Sequence, residues 1–252
     1  MDFNKKTILI TGASSGIGRA IAGKLAEYDC KLILTARRIE LLHEIKNHHG
    51  NKAEIDIYQC DVSKKEEVQN TYDKIKQAGG SIDIAILNSG VGIAVTTDDF
   101  KSEYAEKTFG ANFFGVVYWI EAMMNDFIKK KDGIIAATSS LADNRAYGLS
   151  FYNPSKAALT IFLEGLRLDM KKYNIRILNI RPGFVKTPMT DQNNFKMPFL
   201  ISPEKAADYI IEGIKKEKKI IQFPWQMVLL TRIIGLLPLT VYEFLAGKEK
   251  KK

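Results

Sequence analysis

The chain reads as a doubly wound α/β domain, a parallel sheet covered by helices on both faces. Three observations predict this. Short β-branched apolar runs alternate with longer segments whose apolar residues recur at helical spacing, from Thr7 to Gln222. The first run ends in a glycine-rich loop that leads straight into a helical pattern. The 252 residues, 46% hydrophobic and 26% charged, suit one large core, and no linker or internal repeat divides them.

Thr7–Thr11 (TILIT) is the first strand, ended by Gly12. From Gly16 to Tyr28 apolar residues fall at Ile17, Ala20, Ile21 and Leu25, the period of a helix. Lys31–Ala36 is the second strand and Ile39–His49 the second helix. Ala53–Cys60, alternating about Ile55 and Ile57, is the third strand. Ser63 and Glu66 have the spacing of a capping box and open a helix to about Gln77, which Gly79-Gly80 stops. Ile82–Leu87 is the fourth strand, and one long helix covers Asp99 to Lys130. Asp132-Gly133 turns the chain into the fifth strand, Gly133–Thr138. Ser150–Tyr173 is helical, with Pro154 tolerated in its first turn, and Arg176–Ile180 is the sixth strand. Ser202 caps and Pro203 begins a helix to about Lys216, and Lys219–Gln222 is the last strand.

Residues 1–222 form the body, and 223–252 an apolar helical extension of the same domain. Pro224 and Pro238 each open a short helix, and Gly247 stops the second. From Met227 to Leu237 only Thr231, Arg232 and Gly235 are not apolar. Helices apolar almost all round must be buried against the domain, another subunit or a membrane interface. Packing on protein is the expectation, with peripheral membrane contact through 223–252 as the alternative.

Composition narrows the function. No run of 18 apolar residues occurs, and the opening MDFNKKTILITG has too short an apolar stretch for a signal peptide. Cys30 and Cys60 form no CxxC, and His43, His48 and His49 crowd one polar segment, so no metal site is expected. Free thiols fit a cytoplasmic protein. The net charge is +8, half of it after Ile201, where the chain closes on KEKKK. A solvated lysine-rich surface accounts for that better than a nucleic-acid interface.

Thr11-Gly12-Ala13-Ser14-Ser15-Gly16-Ile17-Gly18 joins the first strand to the first helix. Glycines permit a tight turn and close backbone approach, and a helix N-terminus offers free N–H groups, so a dinucleotide pyrophosphate fits here. The spacing G-x-x-x-G-x-G, behind Thr11, resembles the short-chain dehydrogenase/reductase family, whose fold is a single Rossmann domain. Further motifs resemble that family in order along the chain: Asp61-Val62, Asn88-Ser89-Gly90, Asn112-Phe113-Phe114-Gly115, Tyr152-Asn153-Pro154-Ser155-Lys156, and Pro182-Gly183 with Thr187. Ser89 stands where the family usually has alanine.

The resemblance implies roles. Gly12, Ser14, Ser15, Gly16, Ile17 and Gly18 would cradle the cofactor phosphates, and Asp61 and Val62 its adenine. Asn88, Gly90, Pro182 and Gly183 would bind the cofactor, and Thr187 would contact its nicotinamide carboxamide. Tyr152 would act as acid–base, and Lys156 would lower its pKa and hold the nicotinamide ribose. Four residues apart on a helix, the two side chains share one face. Asn112 would keep a proton-relay water near Lys156. Ser139 is preferred over Ser140 as the substrate-binding serine, for its 13-residue spacing to Tyr152 and the following Ala142.

The second strand ends Ala36-Arg37-Arg38, with no acidic residue before Glu40. A carboxylate there would accept the ribose hydroxyl of NAD, whereas Arg37 can pair with a 2′-phosphate, so NADP is expected over NAD. Phe184, Met189, Phe195, Met197, Pro198 and Phe199, with Val91–Val95, Leu141 and Tyr147, suggest a pocket for a lipophilic carbonyl or alcohol. The expected protein is therefore an NADP-dependent oxidoreductase and a homo-dimer or homo-tetramer. The alternative is a non-catalytic nucleotide-sensing or binding member of the same fold.

Overall fold

The computed structural model describes residues 1–50, 53–146 and 148–249. Seven strands, β1 (Thr7–Thr11), β2 (Lys31–Ala36), β3 (Glu54–Gln59), β4 (Ile84–Leu87), β5 (Gly133–Thr138), β6 (Ile175–Pro182) and β7 (Ile220–Phe223), form one sheet in the order β3-β2-β1-β4-β5-β6-β7. Every neighbouring pair is parallel. The strand order reverses between β1 and β4. In such sheets that reversal opens a crevice at the carboxyl ends of the strands.

Strand alternation sends side chains to two cores. On one face Ile8, Ile10, Leu32 and Leu34 pack with Ile21 and Leu25 of α1 (Gly16–Leu25), Leu42 and Ile45 of α2 (Ile39–His49), and Ile210 and Ile214 of α7 (Pro203–Lys215). On the other, Leu9, Ile33, Ala85 and Ile135 pack with Val68 and Ile75 of α3 (Lys65–Gln77). Trp119 and Met123 of α5 (Gly115–Lys130) and Leu159 and Leu163 of α6 (Tyr152–Met170) complete that side. Burial on both faces explains why the strands read as continuous apolar runs.

Several expectations are corrected. Ser63 forms no capping box: its hydroxyl and its N–H both donate to Asp61 Oδ1, at 2.8 and 3.0 Å. An ionised carboxylate two residues back is the stronger acceptor and captures the serine. Glu67 rather than Glu66 reaches back, accepting from the Asp61 N–H at 2.8 Å. The long helix starts later, as α4 (Ser102–Phe109), and a π-helical turn over Gly110–Phe114 separates it from α5. Such a turn admits one extra residue and often marks a functional site. After β7 come α8 (Trp225–Leu236) and α9 (Leu239–Glu249), and the latter runs through Gly247 instead of stopping there. No helix among the described residues is long and apolar enough to cross a membrane.

Candidate active site

The crevice at the carboxyl ends of β1 and β4 is a cleft of about 730 Å³. The glycine loop forms its floor. No side chain caps α1, whose cap residue Ser15 is extended, so the first N–H groups of the helix are available to an anion. A Cβ on Gly18 would fall 2.3 Å from the Gly12 carbonyl oxygen, so only glycine lets the helix start this close to the strand. Thr11 ties the two strand ends together, its Oγ1 accepting from the N–H groups of Asn88 and Ser89 at 3.0 and 3.1 Å. Thr187 folds over the loop: a Cβ on Gly16 would lie 2.9 Å from its Cγ2.

Gly12, Ser14, Ser15, Gly16, Ile17, Arg37, Asp61, Val62, Asn88, Gly90, Ser139, Tyr152, Lys156, Pro182, Gly183 and Thr187 all line this cleft. Gly18 and Asn112 lie just behind its wall. Asp61 directs its carboxylate to Ser63 and so holds the turn beneath Val62. At the end of β2, Arg37 is exposed, and its carbonyl accepts from Gln59 Nε2 at 3.0 Å. Arg38 reaches the phosphate loop, with Nη2 3.2 Å from Ser14 Oγ and 3.0 Å from Ser15 Oγ. The loop hydroxyls therefore have a guanidinium partner in Arg38, beside Arg37 in the same cleft.

Asn112 sits in the π-turn, fully buried. Its amide clamps Val91, with Oδ1 accepting from the Val91 N–H at 2.8 Å and Nδ2 donating to the Val91 carbonyl at 3.0 Å. Nδ2 also donates to Ser155 Oγ at 3.0 Å. The side chain thus holds the segment after β4 against α6, and its amide donors are spent on protein partners.

Tyr152 and Lys156 lie one turn apart at the start of α6, with Pro154 in the first turn. Lys156 is buried, donates to the Thr138 carbonyl at 2.7 Å, and sits 5.7 Å from the Tyr152 ring centroid. Burial pushes its ammonium down to about 8. Burial also pushes the Tyr152 phenol above its ordinary range, a hydrogen bond with Ser140 works against this, and the charge of Asp143 adds to it. The expected depression of the phenol by Lys156 is not found here.

That contact makes Ser140 a second candidate for the substrate-binding serine beside Ser139. Ser139 is fully buried and donates to Asn179 Oδ1 at 2.6 Å, so its hydroxyl is occupied inside the protein. Ser140 faces Tyr152. Extended backbone at Thr138–Ser140 alternates sides, so one residue decides which hydroxyl meets the tyrosine. Asn153, inside the Y-x-x-x-K motif, donates to the carbonyls of Ala142 and Arg145 at 2.9 and 3.2 Å, and so ties the serine turn to α6. Its position in the motif was visible, but its partners were not.

Of the residues expected to make an apolar pocket, Val91, Ile93 and Met189 line the cleft, joined by Val185 and Pro188. Phe195 and Phe199 are exposed, and Tyr147 lies outside the described residues. Among the described residues no group of side chains could hold a metal ion, and both cysteines are free and buried.

Comparison with known proteins adds the family. The model of the short chain dehydrogenase family matches residues 6–197. An uncharacterised oxidoreductase of Myxococcus xanthus is 30% identical over 249 residues, covering 98% of each chain. An NADP-dependent 3-hydroxy acid dehydrogenase of Schizosaccharomyces pombe is 30% identical over 233 residues, covering 86% of this chain and 89% of that one. Among solved structures, a short-chain dehydrogenase/reductase of Burkholderia phymatum in complex with NAD superimposes with a TM-score of 0.84 at 23% identity, covering 92% of this chain and 93% of its own. Matched over most of its length by that family's model, and end to end by a relative, the chain belongs to the short chain dehydrogenase family.

Proposed function

We propose that the protein is an NADP-dependent oxidoreductase that interconverts a lipophilic carbonyl compound and its alcohol. The observation that carries this reading is that Tyr152 and Lys156, one helical turn apart, line the same cleft as the glycine loop. The residues fit a dinucleotide: an uncapped helix N-terminus, a cradle that a Cβ at Gly18 would fill, and a cationic rim. When bound, the nicotinamide supplies or accepts the hydride. In reduction, Ser140 and Tyr152 hydrogen-bond the carbonyl oxygen, and Tyr152 gives it a proton as negative charge develops. Lys156 stabilises the phenolate left behind. Asn112 fixes Val91 and Ser155, and so the distance between the strand ends and α6.

Preference for NADP rests on Arg37 and Arg38 with no carboxylate at the end of β2. The similar protein of S. pombe is NADP-dependent by name, which agrees. Lipophilic specificity rests on Val91, Ile93, Val185, Pro188 and Met189 beside Tyr152. NADPH oxidation against a panel of lipophilic ketones tests the reading. Tyr152→Phe keeps the ring and loses the proton, so turnover should fall at least about 10²-fold while NADPH still binds. Near-full turnover would remove Tyr152 from the mechanism. Arg38→Ala should lower the NADPH/NADH preference, and an unchanged ratio would place selectivity elsewhere.

A further inference from the structure

We propose that Asp143 is a positioning residue. Its carboxylate, clamped between Arg181 and Thr160, fixes the turn that carries Ser140 and holds a negative charge beside the Tyr152 phenol. The inference rests on the reading of Tyr152 as proton donor.

Asp143 closes a 3₁₀ turn over Leu141–Asp143 whose cap is Ser140. Its side chain is only 1% exposed. One carboxylate oxygen pairs with Arg181 Nη2 on β6, and the other accepts from Thr160 Oγ1 on α6 at 2.6 Å. The bonds continue: Asn179 Nδ2 donates to Thr160 Oγ1 at 3.2 Å, and Ser139 Oγ donates to Asn179 Oδ1 at 2.6 Å. The circuit thus returns to the residue before Ser140. Ser139 is anchored at one end of the turn, Asp143 at the other, and Asn153 holds the Ala142 carbonyl between them. Ser140, in the middle, accepts from the Ala142 N–H at 3.1 Å and meets Tyr152.

A buried ion pair adds little net stability over an apolar pair of the same size. The site gives this one another use. A negative charge beside a phenol opposes its ionisation, and the charge of Asp143 acts on Tyr152 in that direction. Among the described residues, the elements around Tyr152 carry other charged groups. Lys156, one turn on, lies 5.7 Å from the ring; Arg181 is paired with Asp143; Arg145 turns away to the Leu237 carbonyl at 2.8 Å. A phenol held protonated is what carbonyl reduction requires.

Two variants separate charge from anchoring. Asp143→Asn keeps the shape, removes the charge and leaves Arg181 as an uncompensated cation, and both changes favour phenolate. The alkaline limb of kcat/KM for reduction should move to lower pH. The ultraviolet difference titration of Tyr152, each protein minus its own Tyr152→Phe derivative, should move with it. Thr160→Val keeps the charge and loosens the turn. Its titration should match the parent's, while the hydride-transfer rate falls about tenfold, the scale of a misplaced catalytic group. An unmoved Tyr152 titration in Asp143→Asn would overturn the electrostatic role, and a parental rate in Thr160→Val would overturn the anchoring. If Asp143→Asn does not fold, the Thr160→Val rate still decides the anchoring. If Tyr152→Phe retains turnover, the functional reading fails, while the titration still decides what Asp143 does to Tyr152.

Discussion

Lys156 carries an ammonium into a site where water cannot solvate it, and its position has an energetic consequence. Its pKa falls from 10.5 to about 8 in the folded protein, on the order of 3 kcal/mol of disfavoured charge. Between those values the unfolded chain holds a proton that the native protein has released, so stability rises with pH across that window. Below about 8 both states are protonated and the full cost is present. Lys156→Met removes the titration. Denaturant unfolding should show the parent gaining on this variant as pH rises from 8 to 10.5, and a constant difference would mean the ammonium is solvated. The same scale shows what the sequence could specify. Tyr152 and Lys156 were legible because a four-residue step on a helix puts two side chains on one face, whatever surrounds them. Ser139 and Ser140, like Arg37 and Arg38, are adjacent pairs in extended or cap backbone. Only the partners, Asn179 for Ser139 and the loop hydroxyls for Arg38, decide what each member of a pair does.

At the scale of elements, periodicity fixed type and order well, because runs buried on both faces and helices with one apolar stripe leave different patterns. Lys31–Ala36 and Ile39–His49 agree to the residue. The misses have local physical causes. The Ser63 cap was lost to the Asp61 carboxylate, and the π-turn goes with the buried partners of Asn112, Val91 after β4 and Ser155 on α6. Neither competitor has a periodic signature. Two helical glycines make the packing testable. A Cβ on Gly115 would lie 2.8 Å from Val62 Cγ2 and 2.9 Å from the Val62 carbonyl oxygen. Gly115→Ala should push α5 from the adenine side of the cleft, cost about 1–3 kcal/mol and weaken NADPH binding. Gly165, on α6, has nothing within 4 Å of its would-be Cβ. Gly165→Ala should raise stability by roughly 0.5–1 kcal/mol and leave binding alone. Thermal unfolding with NADPH titration of both variants checks the contrast, and similar behaviour would show that α5 moves freely.

Across the whole molecule, α8 joins the catalytic region to an uncovered surface. Its inner side is fixed: Met227 lies against Gly183, Asn144 donates to the Thr231 carbonyl, and Arg145 holds the carbonyls of Gly235 and Leu237. On α9, Tyr242 bonds the Ala146 carbonyl. Only Val228 of α8 is buried, while Trp225, Leu229, Ile233 and Leu236 are more than half exposed at helical spacing. Burying such a side chain from full exposure gains about 1.5–3 kcal/mol, and roughly half of that is left to gain at Leu229 and Ile233, so the stripe favours a partner over water. Two covers fit: a second copy of the chain, which is the expectation, and an anionic lipid surface, to which Arg232 and the closing lysines are attracted. Leu229→Glu with Ile233→Glu alters side chains that the single chain leaves exposed, so its far-ultraviolet circular dichroism should be unchanged. Sedimentation velocity should show the parent as an oligomer and the double variant dissociating to smaller species. An unchanged oligomer would assign assembly to another surface. Salt-weakened co-sedimentation of the parent with anionic vesicles, abolished by the same two substitutions, would instead make the stripe a lipid contact, since apolar insertion and lysine attraction would then add.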